Sequence, residues 1–207
     1  MKSRLVRSLI AGLCATAGMA VAQETPDAIV RRAVDGVTQV LKSDKDVRAG
    51  SRMRLNALVD DKVLPYVDVE RMTRGAAGRH WADATPDQRQ ALTREFKALL
   101  THTYASVFAS YRDDTTIEYR PAREPASDGA AEVRSLIRRG SQEPVQVDYT
   151  LEKIDGAWKV IDINVLGIRV VETYRSQFNG AINAGGIDGL IKMLATKNRD
   201  IESRARA

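Results

Sequence analysis

Leu64-Pro65-Tyr66-Val67-Asp68-Val69-Glu70-Arg71-Met72-Thr73-Arg74 opens the stretch that decides the fold, and Gly78-Arg79-His80-Trp81 and Ala84-Thr85-Pro86 follow it. Asp68 is placed to cap a short helix over 69–77, and Gly78 stops it. Thr85 suits an N-cap and Pro86 the first helical position. From there Leu92, Phe96, Leu99, Leu100, Thr103, Val107 and Tyr111 recur at steps of mostly three or four. The spacing predicts a single helix to about residue 111 with an apolar stripe along it. At about 25 residues it is roughly twice the usual length. Ala91, Ala98, Ala105 and Ala109 form a second, flatter stripe that includes His102. Small side chains admit close neighbours, so packing is expected on two sides of this helix, with the rest of the chain wrapped around it.

On the N-terminal side, residues 26–41 place Val30, Val34, Val37 and Leu41 on one helical face. Ser43-Asp44 offers a cap for a second helix carrying Val47, Leu55, Leu58, Val59 and Val63, which Pro65 ends. After Asp113-Asp114 the apolar period changes from that of a helix to the two-residue alternation of a strand. Strands are predicted over 115–120, 131–138, 145–152 and 158–165. Between the first two lies a turn-rich loop (121–129), then a turn at 140–144, then the hairpin signal Asp155-Gly156. Trp158, Val160, Ile161 and Ile163 make the last strand apolar on both faces in part, which reads as a central position. Two closing helices follow, 172–184 and 187–197, broken by Gly185-Gly186. Residues 200–207 read as a flexible polar tail. Helices, an antiparallel meander and helices again give an α+β fold: a curved, four-stranded antiparallel sheet with helices packed on one face. By analogy this is an NTF2-like cone with extra helices, formed by one domain over 23–199.

The first 22 residues have the marks of a secretory signal. Lys2, Arg4 and Arg7 precede an apolar run of about 13 residues, too short to span a bilayer, and Ala20-Val21-Ala22 is a small-x-small cleavage site. Cys14, the only cysteine, would leave with that segment. The remaining chain, about 185 residues, is long enough for a sizeable core without disulfides. Without the three basic residues of the signal, the excess of basic over acidic residues falls from 5 to 2. That balance gives no reason to expect nucleic acid as a partner. Export from the cytoplasm is expected.

The search for chemistry yields no enzyme signature. His80 and His102 are the only histidines, some 20 residues apart, and both read as packed or partly exposed side chains. No serine lies on a recognisable elbow. No metal-ligand spacing is present, so no metal or cofactor is expected. The glycines between Gly180 and Gly189 follow a helix rather than a strand and lack a phosphate-loop lysine. Asp148 and Asp162 fall in strands, where alternation turns Asp148 away from Tyr149 and toward solvent. Arg71, Arg74 and Arg79 surround the short helix and are either anion or docking contacts or surface arginines.

An apolar pocket has more support. Stripe geometry gives Tyr66, Val69, Met72, Leu99, Leu100, Thr103, Tyr104, Val107, Tyr111, Val147, Tyr149 and Val160 as its candidate lining. The same residues could equally close on themselves as a solid core. The periodicity alone thus leaves three readings: a ligand carrier, a small-molecule-binding domain or enzyme on an NTF2-like scaffold, and a solid-core periplasmic adaptor.

The chain also resembles a known family. Leu64-Pro65-Tyr66-Val67-Asp68, Arg71-Met72, Gly78-Arg79-His80-Trp81 and Thr103-Tyr104-Ala105 look like MlaC proteins. So do Tyr174-Arg175-Ser176-Gln177-Phe178 and Gly186-Ile187-Asp188-Gly189-Leu190-Ile191, and the likeness runs from about Thr25 to Arg199. The resemblance implies a soluble periplasmic carrier of the maintenance-of-lipid-asymmetry pathway, also called a toluene-tolerance auxiliary protein. A phospholipid would be its cargo. Its implied partners are an outer-membrane MlaA–porin complex and the inner-membrane MlaD ring with its ABC transporter, met in transient contacts.

Overall fold

The computed structural model describes residues 24–109, 111–123 and 129–204. The signal expected over 1–22 lies outside them. Helix α1 (Pro26–Ser43) starts behind Thr25 with Pro26 in its first turn. Asp44 ends it and caps α2 (Lys45–Arg48), accepting from the Asp46 and Val47 N–H groups. The second predicted helix is in fact two: the chain breaks after α2 at Gly50, whose φ is 81°, and resumes as α3 (Arg52–Leu58). A wide π turn, Val59–Val63, follows directly.

Helix α4 (Val69–Ala77) begins where expected, with the Asp68 carboxylate accepting from Arg71 N–H at 2.7 Å. Gly78 leaves the helix at a φ of 58°. A 3-10 turn (Gly78–Trp81) leads to α5 (Pro86–Ala109). Its start is a capping box: Gln88 N–H donates to Thr85 Oγ1, and Thr85 N–H donates to Gln88 Oε1.

The sheet has strands β1 (Thr115–Arg123), β2 (Ala131–Arg139), β3 (Val145–Ile154), β4 (Ala157–Val165) and β5 (Ile168–Arg169), antiparallel and in sequence order. The expected four strands become five because a two-residue hairpin at Leu166-Gly167 folds β5 back on β4; both residues have positive φ. Strand β1 also runs through Pro121, which lies within the register shift between Arg120 and Arg123. An edge strand tolerates the missing N–H there. Asp155 and Gly156, with φ of 49° and 81°, make the β3–β4 turn.

Beyond β5, one long element α6 (Val170–Arg204) is divided by non-helical Gly185 and Gly186. Residues 200–204 continue this helix rather than forming a tail, and Ile201 packs toward the core.

Helices cover one face of the sheet. Ile29 and Val30 of α1 pack on Val133, Leu151 and Val160. On the other side of β4, helices α4, α5 and α6 form a dense core in which the ring of Phe96 meets Tyr174 and Phe178 edge-on, at 4.9 and 5.1 Å. Residues 66–68 run beside β4, where Val160 exchanges backbone hydrogen bonds with Tyr66 and Asp68. This pairing fixes the entry to α4 against the sheet.

The opposite face of the sheet is polar. Asp148 lies there, but it is buried rather than solvated: Arg134 and Gln146 donate to it. Long neighbouring side chains fold over the carboxylate, a cover that strand alternation does not reveal.

Candidate functional site

Between the sheet and the helices lie two adjoining apolar lobes, of about 190 and 250 Å³. Val63, Val67, Phe108 and Ile163 line both and form the divide between them. Two of these, Val63 and Val67, come from irregular backbone. The π turn swings both Val59 and Val63 toward the first lobe, with Leu64 N–H donating to Val59 C=O at 2.9 Å. Val67 is held by the pairing beside β4.

The first lobe is otherwise walled by Val69 and Met72 of α4, Leu100 and Tyr104 of α5, and Val165 and Val170. The second is walled by Val30, Val34 and Val37 of α1, Tyr111 of the loop before β1, Ile117 and Ile137 of the sheet end, and Tyr149 and Val160. Register explains the sheet's share: Ile117 pairs with Ile137, and Tyr149 with Val133 and Ile163, all on the helix-covered face.

Polar groups are few. Lys97 reaches the rim of the first lobe and is bound to Asp60 of the π turn at 2.6 Å. Burial pushes the Tyr104 phenol upward, helped by neighbouring Tyr174. Burial likewise raises Tyr149, whose hydroxyl lies 3.4 Å from Ser135 Oγ. Both phenols therefore stay neutral at ordinary pH, and neither puts charge into the cavity. Thr38, Thr115 and Arg139 complete the second lobe.

The residues predicted from the stripes divide along this geometry. Val69, Met72, Leu100 and Tyr104 line the first lobe, and Tyr111, Tyr149 and Val160 the second. Leu99 instead belongs to the dense core with Phe96. Thr103 is exposed, on the outer side of α5. Val147 is buried and Tyr66 half-buried, but neither lines a lobe. The Val107 side chain lies outside the described ones. The spacing missed Val63, Val67, Phe108 and Ile163. Phe108 continues the i, i+4 row Leu100–Tyr104, a signal that could have found it.

Neither His80 nor His102 lines a lobe. Among the described residues, no three His, Cys, Asp or Glu side chains group as a metal site would require. No described helix is long and apolar enough to cross a membrane. Arg71 is engaged by Glu152, which accepts from its Nε and Nη2 at 3.0 and 2.6 Å, whereas Arg74 and Arg79 are exposed.

Comparison with known proteins follows the same lines. The family described as "MlaC protein" matches residues 31–196. A toluene tolerance protein, ttg2D of Pseudomonas putida, is 31% identical over 91% of this chain and 87% of its own. The intermembrane phospholipid transport system binding protein MlaC of Haemophilus influenzae is 23% identical over 83% of this chain and 81% of its own. A solved structure of a phospholipid-binding protein from Ralstonia solanacearum, in complex with a phospholipid, superposes with a TM-score of 0.81 at 39% identity, covering 86% of this chain and 99% of that one.

Proposed function

This chain belongs to the MlaC family, and on that premise we propose that it is a periplasmic carrier of a glycerophospholipid. The observation that carries the reading is the pair of apolar lobes meeting at Val63, Val67, Phe108 and Ile163. Two lobes with a common wall suit two acyl tails joined at one glycerol. Lining residues that are almost all hydrocarbon suit tails rather than a polar metabolite. The bound phospholipid of the Ralstonia solanacearum protein supports the same cargo here.

Burial energy then dictates how such a carrier works. A 16-carbon tail at about 0.8 kcal/mol per CH₂ gains roughly 13 kcal/mol on leaving water. Spontaneous release into water is far too slow for transport, so the carrier docks and passes the tails from one apolar path to the next. The chain makes no covalent bond to its cargo in this scheme. Its docking partners are the outer-membrane MlaA–porin complex and the inner-membrane MlaD ring, consistent with the transport system named for the Haemophilus influenzae relative.

The test is uptake. The mature chain, from residue 23, is incubated with phosphatidylglycerol vesicles carrying a labelled lipid and then separated from them. Retention of close to one labelled phospholipid per chain is expected. If no label stays with the protein after exchange, the carrier reading is wrong.

A further inference from the structure

The two lobes end differently. The α1 wall of the second runs from Leu41 to Val30, about 16 Å along the helix axis. At the Val30 end, β4 contributes Val160. These two side chains are 1% and 3% exposed, and Val133 and Leu151 behind them are fully buried. The sheet register agrees. Strand β2 offers Ile137 and Arg139 to the lobe, whereas Ala131, at its other end, lies in one row with Leu151 and Val160 and is buried. Beyond Val30 and Val160 the space is filled with side chains.

This floor has no freedom to retreat. Val160 N–H donates to Tyr66 C=O at 2.8 Å, and Val160 C=O accepts from Asp68 N–H at 2.9 Å. Strand β3 flanks the same residue on its other side. Next to it, Lys159 Nζ donates to Pro65 C=O at 2.6 Å and ties the segment down again. Branching at Cβ restricts the rotamers of both valines, so the side chains yield as little as the backbone. The first lobe is softer. It meets the dense core at Met72, an unbranched thioether that can refit around a neighbour. Its π-turn wall is tied to α5 by the Asp60–Lys97 pair, whose side chains are 52% and 36% exposed, and an exposed pair holds weakly.

We infer that Val30 and Val160 determine specificity. They form a fixed stop that limits the length of the acyl tail in the second lobe, while the first lobe, ending at Met72, admits tails of varied length. The inference rests on the phospholipid-carrier reading and adds to it which diacyl lipids are selected: those with at least one tail short enough to clear the stop.

The experiment is a competition. Phosphatidylglycerols with graded monounsaturated tails, from dimyristoleoyl through dioleoyl to dierucoyl, are mixed in equal trace amounts into one batch of phosphatidylcholine vesicles. Both positional isomers of the mixed myristoleoyl–erucoyl lipid are included. The vesicles are offered to the wild-type chain and to Val30→Ala, Val160→Ala and Val160→Ile, and the lipid retained by each protein is extracted and compared with the vesicle composition by mass spectrometry. Because the readout is a ratio among lipids on folded protein, a loss of stability in a variant does not move it. A methylene that fits the lobe exchanges one apolar place for another, so retention is flat with length; one that does not fit costs about fourfold.

The wild type is expected to show that break, with at least one mixed isomer retained like the dimyristoleoyl lipid. The break moves to longer tails in Val30→Ala and Val160→Ala and to shorter ones in Val160→Ile. Retention that is flat across the series, or a break that stays in place in all three variants, would overturn the stop and leave the carrier reading standing. Both mixed isomers retained as poorly as the dierucoyl lipid would also overturn it, by giving each lobe its own limit. A wild type that retains none of the lipids refutes the carrier reading itself, and the stop with it.

Discussion

Asp162 of β4 accepts a hydrogen bond at 3.1 Å from the backbone N–H of Val171, in the first turn of α6. The same carboxylate oxygen accepts from Ile163 N–H, and Arg169 lies 3.4 Å from the other. A residue nine positions back, in a strand, thus acts as the cap of a helix. It also fixes Val170, which lines the first lobe, against Ile163, which lines both.

Asp162→Ala is therefore expected to lower stability by about 1–2 kcal/mol, the range of a lost helix cap. Asp162→Asn keeps an acceptor and loses less. Denaturant midpoints measured for the two variants check this; equal midpoints for wild type and Asp162→Ala would show that the contact contributes nothing.

Helices α4 and α6 touch closely at Gly75. A Cβ there would stand 2.9 Å from Val171 Cγ1, nearer than such atoms come. Gly75→Ala is expected to destabilise by about 1–3 kcal/mol through overpacking, less whatever the better helix propensity returns. Adding Val171→Ala should relieve the clash. The double variant is then more stable than the sum of the single losses implies, a coupling that thermal unfolding of the four proteins reads directly.

Blocking the shared wall should empty both lobes at once. Val63→Trp places an indole at the divide between them and is expected to abolish lipid uptake while circular dichroism stays native. Thr103→Trp, on the exposed side of α5, is the control and should carry lipid like the wild type. Uptake by Val63→Trp at the wild-type level would put the lipid somewhere else.

How far the sequence could be read follows from what lies opposite each residue. Caps and breaks are local chemistry, so Asp68, Thr85-Pro86, Asp155-Gly156 and Gly185-Gly186 could be placed from sequence. The β5 hairpin and the π turn are set by tertiary packing and carry no periodic signal. The site shows the same limit. Leu99 and Leu100 are adjacent on one apolar helix, about 100° apart. Leu99 is part of the buried core that holds Phe96 and Phe178, and Leu100, at its edge, lines an open lobe. Apolar spacing reports that a face is covered, and the cover itself depends on residues tens of positions away.

His102 gives a pH signature. Burial lowers its pKa from 6.5, with Glu202 opposing and Arg52 assisting. The folded state thus favours neutral imidazole, and the unfolded chain binds the proton more readily. Its contribution to stability is complete above about pH 6.5, declines as the pH falls below that value, and levels off below the folded pKa. His102→Gln should remove this part of the slope. Unfolding free energies measured across the window would show an unchanged slope in the variant if His102 were not responsible.

The central claim is that the two lobes hold one phospholipid. Native mass spectrometry of the mature chain, exported to the periplasm and purified without detergent, tests it most directly. The account predicts a population heavier than the polypeptide by the mass of a single diacyl phospholipid, released intact on organic extraction. A bare polypeptide mass that remains bare after incubation with phospholipid vesicles would contradict it.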